Sequence, residues 1–342
     1  MRKIYLFIGL VILATGSYLV FNQKQKDINS DLIPIRIGYN TESVTNASII
    51  IAYDKGYLQK HGLSPKMIPL KSGREVMQAM VANQVEVGFG SFTNFMQALA
   101  KGAPMRVIAA SASSPTFVFI RPNENINKFT DLYGKTVMAS EGGINDLFFR
   151  LAMADQDIDL NKFHLVGDVE RAYQVIALMN KKAVDALVAS EQDSEAFIKA
   201  GAVVLPEWKT KSYAKKSLPR NSIVINTEFL NTQETVAEKF LDAIADAHRL
   251  INDNPSEAAN IVSEHIKNKS AGAVVRLPLE IMEQWNNKEV INMIWQDPSI
   301  TMKLAKEAKE LGLIDKELTT QDVFDLRFEN KLKATQKEIY GE

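Results

Sequence analysis

With 342 residues, 46% of them apolar and 24% charged, the chain is long enough for two globular domains of ordinary size. Its 40 basic and 41 acidic residues nearly cancel, and no lysine- or arginine-rich block is interleaved with aromatics, so no nucleic-acid partner is expected. Cysteine is absent, which excludes disulfides, thiolate metal sites, a cysteine nucleophile and a cysteine-linked lipid anchor.

Arg2 and Lys3 precede an apolar run over residues 4–13, the charged start and short hydrophobic core of an export signal. Ala14-Thr15-Gly16 offers a small-residue cleavage site, while Ser17-Tyr18-Leu19-Val20-Phe21 prolongs the run toward a full membrane span. Residues 1–21 are expected to be a signal peptide or a signal anchor, and both remain open. In either case the basic start stays inside and the rest is translocated. The expected location is a periplasm or the outer face of the cytoplasmic membrane, with a membrane tether if the segment is uncleaved. Residues 22–33, polar and lysine-rich, read as linker.

Ile33-Pro34-Ile35-Arg36-Ile37-Gly38-Tyr39 predicts a strand, with Pro34 tolerable only near its start. It runs into the polar turn Asn40-Thr41-Glu42-Ser43. Residues 47–55 predict a short apolar helix, with a glycine stop in the stretch from Gly56. Met67-Ile68-Pro69-Leu70 is a second strand, followed by Lys71-Ser72-Gly73 and a helix over 74–83. The stretch Val85-Glu86-Val87-Gly88-Phe89-Gly90-Ser91-Phe92-Thr93 then reads as a buried strand ending in small and polar residues. A helix over 94–101 and the strand Arg106-Val107-Ile108-Ala109-Ala110 complete a doubly wound βαβαβαβ unit.

Thr116-Phe117-Val118-Phe119-Ile120 is a strand with no helix before it, and that break marks a crossing into a second lobe. Thr136-Val137-Met138-Ala139 leads through Ser140-Glu141-Gly142-Gly143-Ile144 to a helix over 145–154. Residues 171–191 repeat the earlier pattern: an arginine-started helix, the pair Val184-Asp185, the apolar run Ala186-Leu187-Val188-Ala189, then Ser190-Glu191. Ser222-Ile223-Val224-Ile225-Asn226 brings the chain back. The expected fold is therefore α/β, with two doubly wound lobes joined by a two-crossing hinge. Lobe 1 takes residues 34–113, lobe 2 is inserted over 114–225, and 226–342 return to lobe 1 with helices that cover it. Val236, Phe240, Ile244 and Ala247 recur at helical spacing, Asn254-Pro255 and Pro298 start further helices, and Trp285 and Trp295 read as packing residues.

Open parallel sheets bind ligands beyond the carboxyl ends of their strands. The candidate ligand-binding residues are Asn40, Thr41, Ser72, Gly73, Ser91, Phe92, Thr93 and Ser111 on one wall. Ser140, Gly142, Gly143, Ile144, Asn145, Ser190 and Glu191 form the other. Short donors at helix N-termini suit an anion or a polar head group. Taken singly, each serine reads first as a helix N-cap, so convergence carries the inference. Asp146 and Glu191, if both face the cleft, would instead favour a cationic or nitrogen-rich ligand. His61, His164, His248 and His265 are dispersed without metal-ligand spacing and are expected at the surface. No G-x-S-x-G elbow or phosphate-binding loop occurs, and Gly88-Phe89-Gly90 lacks a third glycine. No catalytic residue, metal or cofactor is expected.

Four stretches together resemble a known family. They are Ala52-Tyr53-Asp54-Lys55-Gly56-Tyr57-Leu58-Gln59-Lys60-His61-Gly62-Leu63, the strand from Val85 to Ser91, Asp131-Leu132-Tyr133-Gly134-Lys135, and Val184-Asp185-Ala186. Their order and spacing over residues 35–325 are similar to the solute-binding proteins of ABC importers for sulfonates, nitrate, taurine and thiamine-precursor pyrimidines. The resemblance implies a type II periplasmic-binding fold, a small molecule held between lobes, an ABC permease and ATPase as partners, and a monomer. It also supplies competing readings. Pyrimidine synthases of this fold carry a cysteine-rich motif after the strand at Val137, where this chain has Glu141-Gly142-Gly143. Cofactor-free dehydratases of menaquinone biosynthesis share the fold but are cytoplasmic, and a membrane-tethered ligand sensor is a third possibility.

Overall fold

The computed structural model describes residues 32–41, 43–122, 124–139, 141–167, 171–180, 182–190, 194–210, 218–269, 278–286, 291–295 and 297–341. The expected signal segment, Glu42, Ser140 and Glu191 lie outside them.

The first half of the chain alternates strand and helix: β1 (Ile33–Asn40), α1 (Ala47–Asp54), α2 (Tyr57–Lys60), β2 (Leu63–Leu70), α3 (Gly73–Val81), β3 (Val87–Ser91), α4 (Phe92–Ala100) and β4 (Met105–Ser114). A 3-10 turn, Val44–Asn46, leads into α1. Gly56 ends α1's turn with a φ of 70°, as a glycine stop requires. After Pro115 the chain enters a second sheet with β5 (Thr116–Ile120), β6 (Thr136–Met138), α5 (Ile144–Ala154) and β7 (His164–Val166). Next come α6 (Arg171–Val175), running on as a π-helical turn over Ile176–Asn180, β8 (Ala186–Ser190), α7 (Ser194–Lys199) and β9 (Val203–Val204).

β10 (Leu218–Asn226) returns to the first sheet, followed by α8 (Thr227–Thr232), α9 (Glu234–Asp253), α10 (Pro255–Lys269), α11 (Pro278–Asn286), β11 (Ile291–Asn292), α12 (Pro298–Glu310), α13 (Thr320–Val323) and α14 (Glu329–Tyr340). The first sheet has the order β11-β4-β10-β3-β1-β2 and the second β7-β6-β8-β5-β9.

Two expectations need correction. The return crossing is complete by Leu218, ahead of the expected boundary at Asn226, because β10 already pairs with β4 from Leu218 onward. Nor is the first sheet wholly parallel. β1 pairs in parallel with β2 and β3, but β10 runs antiparallel to both β3 and β4. The polar start Pro219-Arg220-Asn221-Ser222 hid half of that strand, since apolar alternation begins only at Ile223.

Strand alternation divides each lobe into two cores. In lobe 1, Ile37, Phe89, Ile223 and Ile225 pack with α1, α9 and α10, whereas Val107 and Val224 pack with α3, α4 and α12 on the opposite face. In lobe 2, Val118, Val137 and Val188 join α5 and Trp208, while Phe119, Met138 and Leu187 join Leu178 and Phe197. Helix α5 belongs to two cores at once. Phe149, Ala152 and Met153 face lobe 2, but Ile144, Leu147, Phe148 and Leu151 cluster with Phe92, Phe95 and Met96 of lobe 1. Burying four such side chains contributes roughly 1.5–3 kcal/mol each.

The repeated valine–acid pair is a strand-entrance clamp in both lobes. Glu86 accepts from the backbone N–H of Arg36 at 2.6 Å and from its Nε at 2.7 Å. Asp185 accepts from the N–H of Thr136 at 2.9 Å and from Nη2 of Arg121 at 3.1 Å. Each acid thus ties an incoming strand to its neighbour and to one arginine, at the amino ends of the strands. The glycines of Gly88-Phe89-Gly90 serve close packing. A Cβ on Gly88 would come 3.0 Å from Met80 and Val76 of α3, and one on Gly90 would come 3.2 Å from Phe95 of α4.

Candidate functional site

The carboxyl ends of β1, β3 and β4 lie at the edge where the chain crosses between sheets. Because β5 is antiparallel to β8, with Thr116 opposite Ser190, the carboxyl end of β8 meets the same crossing. The amino end of β10 arrives there too, with Asn221 opposite Ser91. A belt of polar residues is buried at this junction: Thr41, Ser43, Thr45, Asn46, Ser111, Ser113, Ser114, Thr116, Ser190, Arg220 and Asn221.

Bonds within the belt tie the strand ends of lobe 1 together and, through Arg220, reach lobe 2. Ser111 donates to the Thr45 carbonyl at 2.5 Å, and Asn221 Nδ2 donates to Thr45 Oγ1 at 2.5 Å. Beside it, Arg220 donates to Asn145 Oδ1 at 2.9 Å and to Thr116 Oγ1 at 2.5 Å, and Thr116 in turn donates to Asn145 Oδ1 at 3.1 Å. Asn46 donates through Nδ2 to the Asn40 carbonyl at 2.8 Å. That bond fixes the orientation of the amide and leaves Asn46 Oδ1 a buried acceptor with no partner among the described residues. Ser48 Oγ and Ser114 Oγ are in the same condition. Buried polar groups are normally paired, with protein or with something bound.

The predicted residues fall into several groups. Asn40, Thr41, Ser91, Thr93, Ser111, Asn145 and Ser190 are brought together at the junction, and Ser91 Oγ lies 2.8 Å from Thr93 Oγ1. Ser72 is an N-cap, accepting from the N–H of Glu75 at 3.2 Å, and Gly73 lets α3 approach the end of β3, where a Cβ would sit 2.8 Å from Asn94. Phe92 and Ile144 turn into the apolar core shared by α4 and α5, not into the cleft. Gly142 takes φ 69° and presses its backbone against Gln97, whose Nε2 donates to its carbonyl at 3.3 Å. Gly143 is the N-cap residue of α5.

Asp146 is committed locally. It accepts from the N–H of Gly142 at 2.9 Å and pairs with Arg150 at 2.8 Å, which removes its support for a cationic ligand. The expectation of four surface histidines also fails. His248 is fully buried, and His265 is buried between Tyr39 and Asp54, 2.8 Å from Tyr39 Oη and 2.8 Å from Asp54 Oδ2. Burial first, then the Asp54 charge, pushes the Tyr39 phenol well above its usual range. This chain of three ties α10 beneath the end of β1. Among the described residues no group of three or more His, Asp or Glu is placed to hold a metal ion.

Sequence reasoning missed Thr45, Asn46, Ser48, Ser114, Thr116, Arg220 and Asn221. The signal for Arg220 and Asn221 was present: a polar run abutting an apolar strand. It was overlooked because an antiparallel strand brings its amino end, not its carboxyl end, to the site.

Two α/β lobes whose polar strand ends converge on a double crossing define a periplasmic-binding-protein fold. The periplasmic aliphatic sulphonate binding protein SsuA from Escherichia coli superposes with a TM-score of 0.66 at 13% identity, covering 85% of this chain and 92% of that one. The periplasmic nitrate-binding protein NrtA from Synechocystis PCC 6803 gives a TM-score of 0.68 at 14% identity, covering 91% and 90%. The chain belongs to the NMT1/THI5-like family, whose family model matches residues 44–258. A Brucella abortus (strain 2308) relative named as a binding protein is 23% identical over 248 residues, 70% of this chain and 73% of its own. A Haemophilus influenzae relative named for thiamine biosynthesis is 23% identical over 226 residues, covering 62% and 67%.

Among the described residues no helix is long and apolar enough to cross a membrane.

Proposed function

We propose that the protein is an exported solute-binding protein that captures a small polar molecule between its lobes and delivers it to an ABC permease. The observation that carries this reading is the buried polar belt, where Asn46, Ser114 and the adjoining Ser48 each keep a polar atom without a partner among the described residues. An unsatisfied buried polar group costs about 1–3 kcal/mol, and a ligand held by both lobes recovers that cost only in the closed state. Such differential affinity is what shifts a two-state equilibrium. Since Asn46 Oδ1 can only accept, the captured molecule carries at least one N–H or O–H group. No group in the belt is arranged as nucleophile and base, so capture is proposed in place of turnover.

Calorimetry of the full chain in detergent against sulfonates, nitrate, pyrimidines and small amines tests the proposal. One class is expected to bind, with donor-bearing compounds ahead of donor-free ones. Asn46→Ala should then weaken binding on the order of tenfold. Turnover of a substrate with no binding in the panel would overturn capture.

A further inference from the structure

The lobes meet on two faces of the molecule, and the two meetings are unlike in kind. On one face α5 packs against α4, and Ile144, Leu147, Phe148 and Leu151 share a core with Phe92, Phe95, Met96 and Leu99. Two polar contacts reinforce that seam: Arg74 Nη2 donates to the Glu141 carbonyl at 2.7 Å, and Gln97 donates to the Gly142 carbonyl at 3.3 Å. On the other face stand α7, packed through Phe197 on the far side of the second sheet, and α11, packed through Ile281 on the far side of the first. There Lys199 of α7 pairs with Glu280 of α11 at 2.6 Å. The lysine side chain is 62% exposed, and Ile198 and Leu279 beside the pair are 56% and 65% exposed.

We infer that the lobes stay joined along the α4–α5 seam and part at the α7–α11 face, with the Lys199–Glu280 pair as the latch of that mouth. Opening at the seam would expose a continuous apolar surface to water, which is strongly unfavourable. Opening at the other face breaks, among the described residues, an ion pair whose lysine is 62% and whose glutamate 17% exposed, and a pair with one partner in water holds weakly and is screened by salt. The outgoing crossing is the single residue Pro115 between β4 and β5, so the lobes cannot translate apart there, and rotation about the seam is the motion left. The capture reading gives the mouth its use, but the motion itself is independent of it and is measured without any ligand.

The chain has no cysteine, so introduced pairs report single distances. Spin labels at Ile198→Cys and Leu279→Cys read the mouth in the full-length protein, and labels at the exposed positions Lys101→Cys and Ala154→Cys read the seam. In the Lys199→Ala background the mouth distance is expected to lengthen and broaden, with the seam distance unchanged. The swap Lys199→Glu with Glu280→Lys should restore the short distance, and raising the salt concentration should mimic Lys199→Ala. A mouth distance insensitive to Lys199→Ala, or a seam that lengthens in its place, would overturn the inference whatever the protein binds.

Discussion

The buried histidine His248 offers a sharp test of how lobe 1 is closed. It lies on α9, fully buried, with Nδ1 2.7 Å from Tyr340 Oη on α14 and its Nε2 unpartnered among the described residues. Burial lowers its pKa from 6.5 to about 3. The folded state therefore keeps the ring neutral in a range where the unfolded chain protonates it, and stability falls as pH drops below 6.5. The unfolded state binds the extra proton there, so stability rises with pH at up to about 1.4 kcal/mol per unit. Between pH 7 and pH 5 the group removes about 2 kcal/mol, and its loss saturates only near pH 3. Urea denaturation of the protein and of His248→Asn at both pH values reads this directly. The variant is less stable at pH 7 because the ring leaves a gap, but its further loss toward pH 5 should be smaller by about 2 kcal/mol. Parallel losses in the two proteins would refute the reasoning, because they would mean that the buried ring is protonated without unfolding.

Other outcomes follow from the same contacts. Gly88→Ala should destabilise by about 1–3 kcal/mol, read as a lower urea midpoint, since the added methyl meets Met80 and Val76 at 3.0 Å; an unchanged midpoint would mean α3 can retreat freely. Asp185→Asn should cost about 1.5–3 kcal/mol in the same assay by weakening the bonds to Thr136 and Arg121. Ser91→Ala removes one bond to Thr93 and should cost about 1 kcal/mol of stability while weakening capture of whichever panel compound binds. Equal affinity in the variant would return Ser91 to the scaffold.

Much of the architecture was legible because alternation and glycine punctuation speak locally. The crossing at Thr116 showed as a strand without a preceding helix, and Gly56 marked the end of α1. What stayed hidden was set by partners distant in sequence. β10 lies between β3 and β4 because of pairing across the whole second lobe, so its direction could not be read from its own residues, and without the direction its polar first half pointed to no site. For the same reason Asn221 and Arg220 were passed over, whereas Ser91 and Ser111, at carboxyl ends of strands identified locally, were named as candidates. Ser72 illustrates the limit in the other direction: a serine before a helix looks the same as a cap and as a ligand donor, and here it is a cap. Phe92 and Ile144 followed the right loops but face the wrong side, since a helix start commits its first residue to whichever core lies beneath it. Burial of His248 and His265 left no trace in spacing, because their partners are distant in sequence: Tyr340 for His248, Tyr39 and Asp54 for His265.

The placement of β10 also fixes an order of assembly. The second sheet is drawn from one unbroken stretch, β5 to β9, and can form as soon as that stretch exists. The first sheet cannot: until residues 218–226 have been made, β3 has an open edge and β4 has no neighbour at all, because β10 and β11 both come later in the chain. Long-range pairings of this sort are slow to form. A chain delivered from its amino end therefore completes its inserted lobe first and its terminal lobe last, and the half-built first sheet, with its exposed strand edges, is the stage at which aggregation competes with folding.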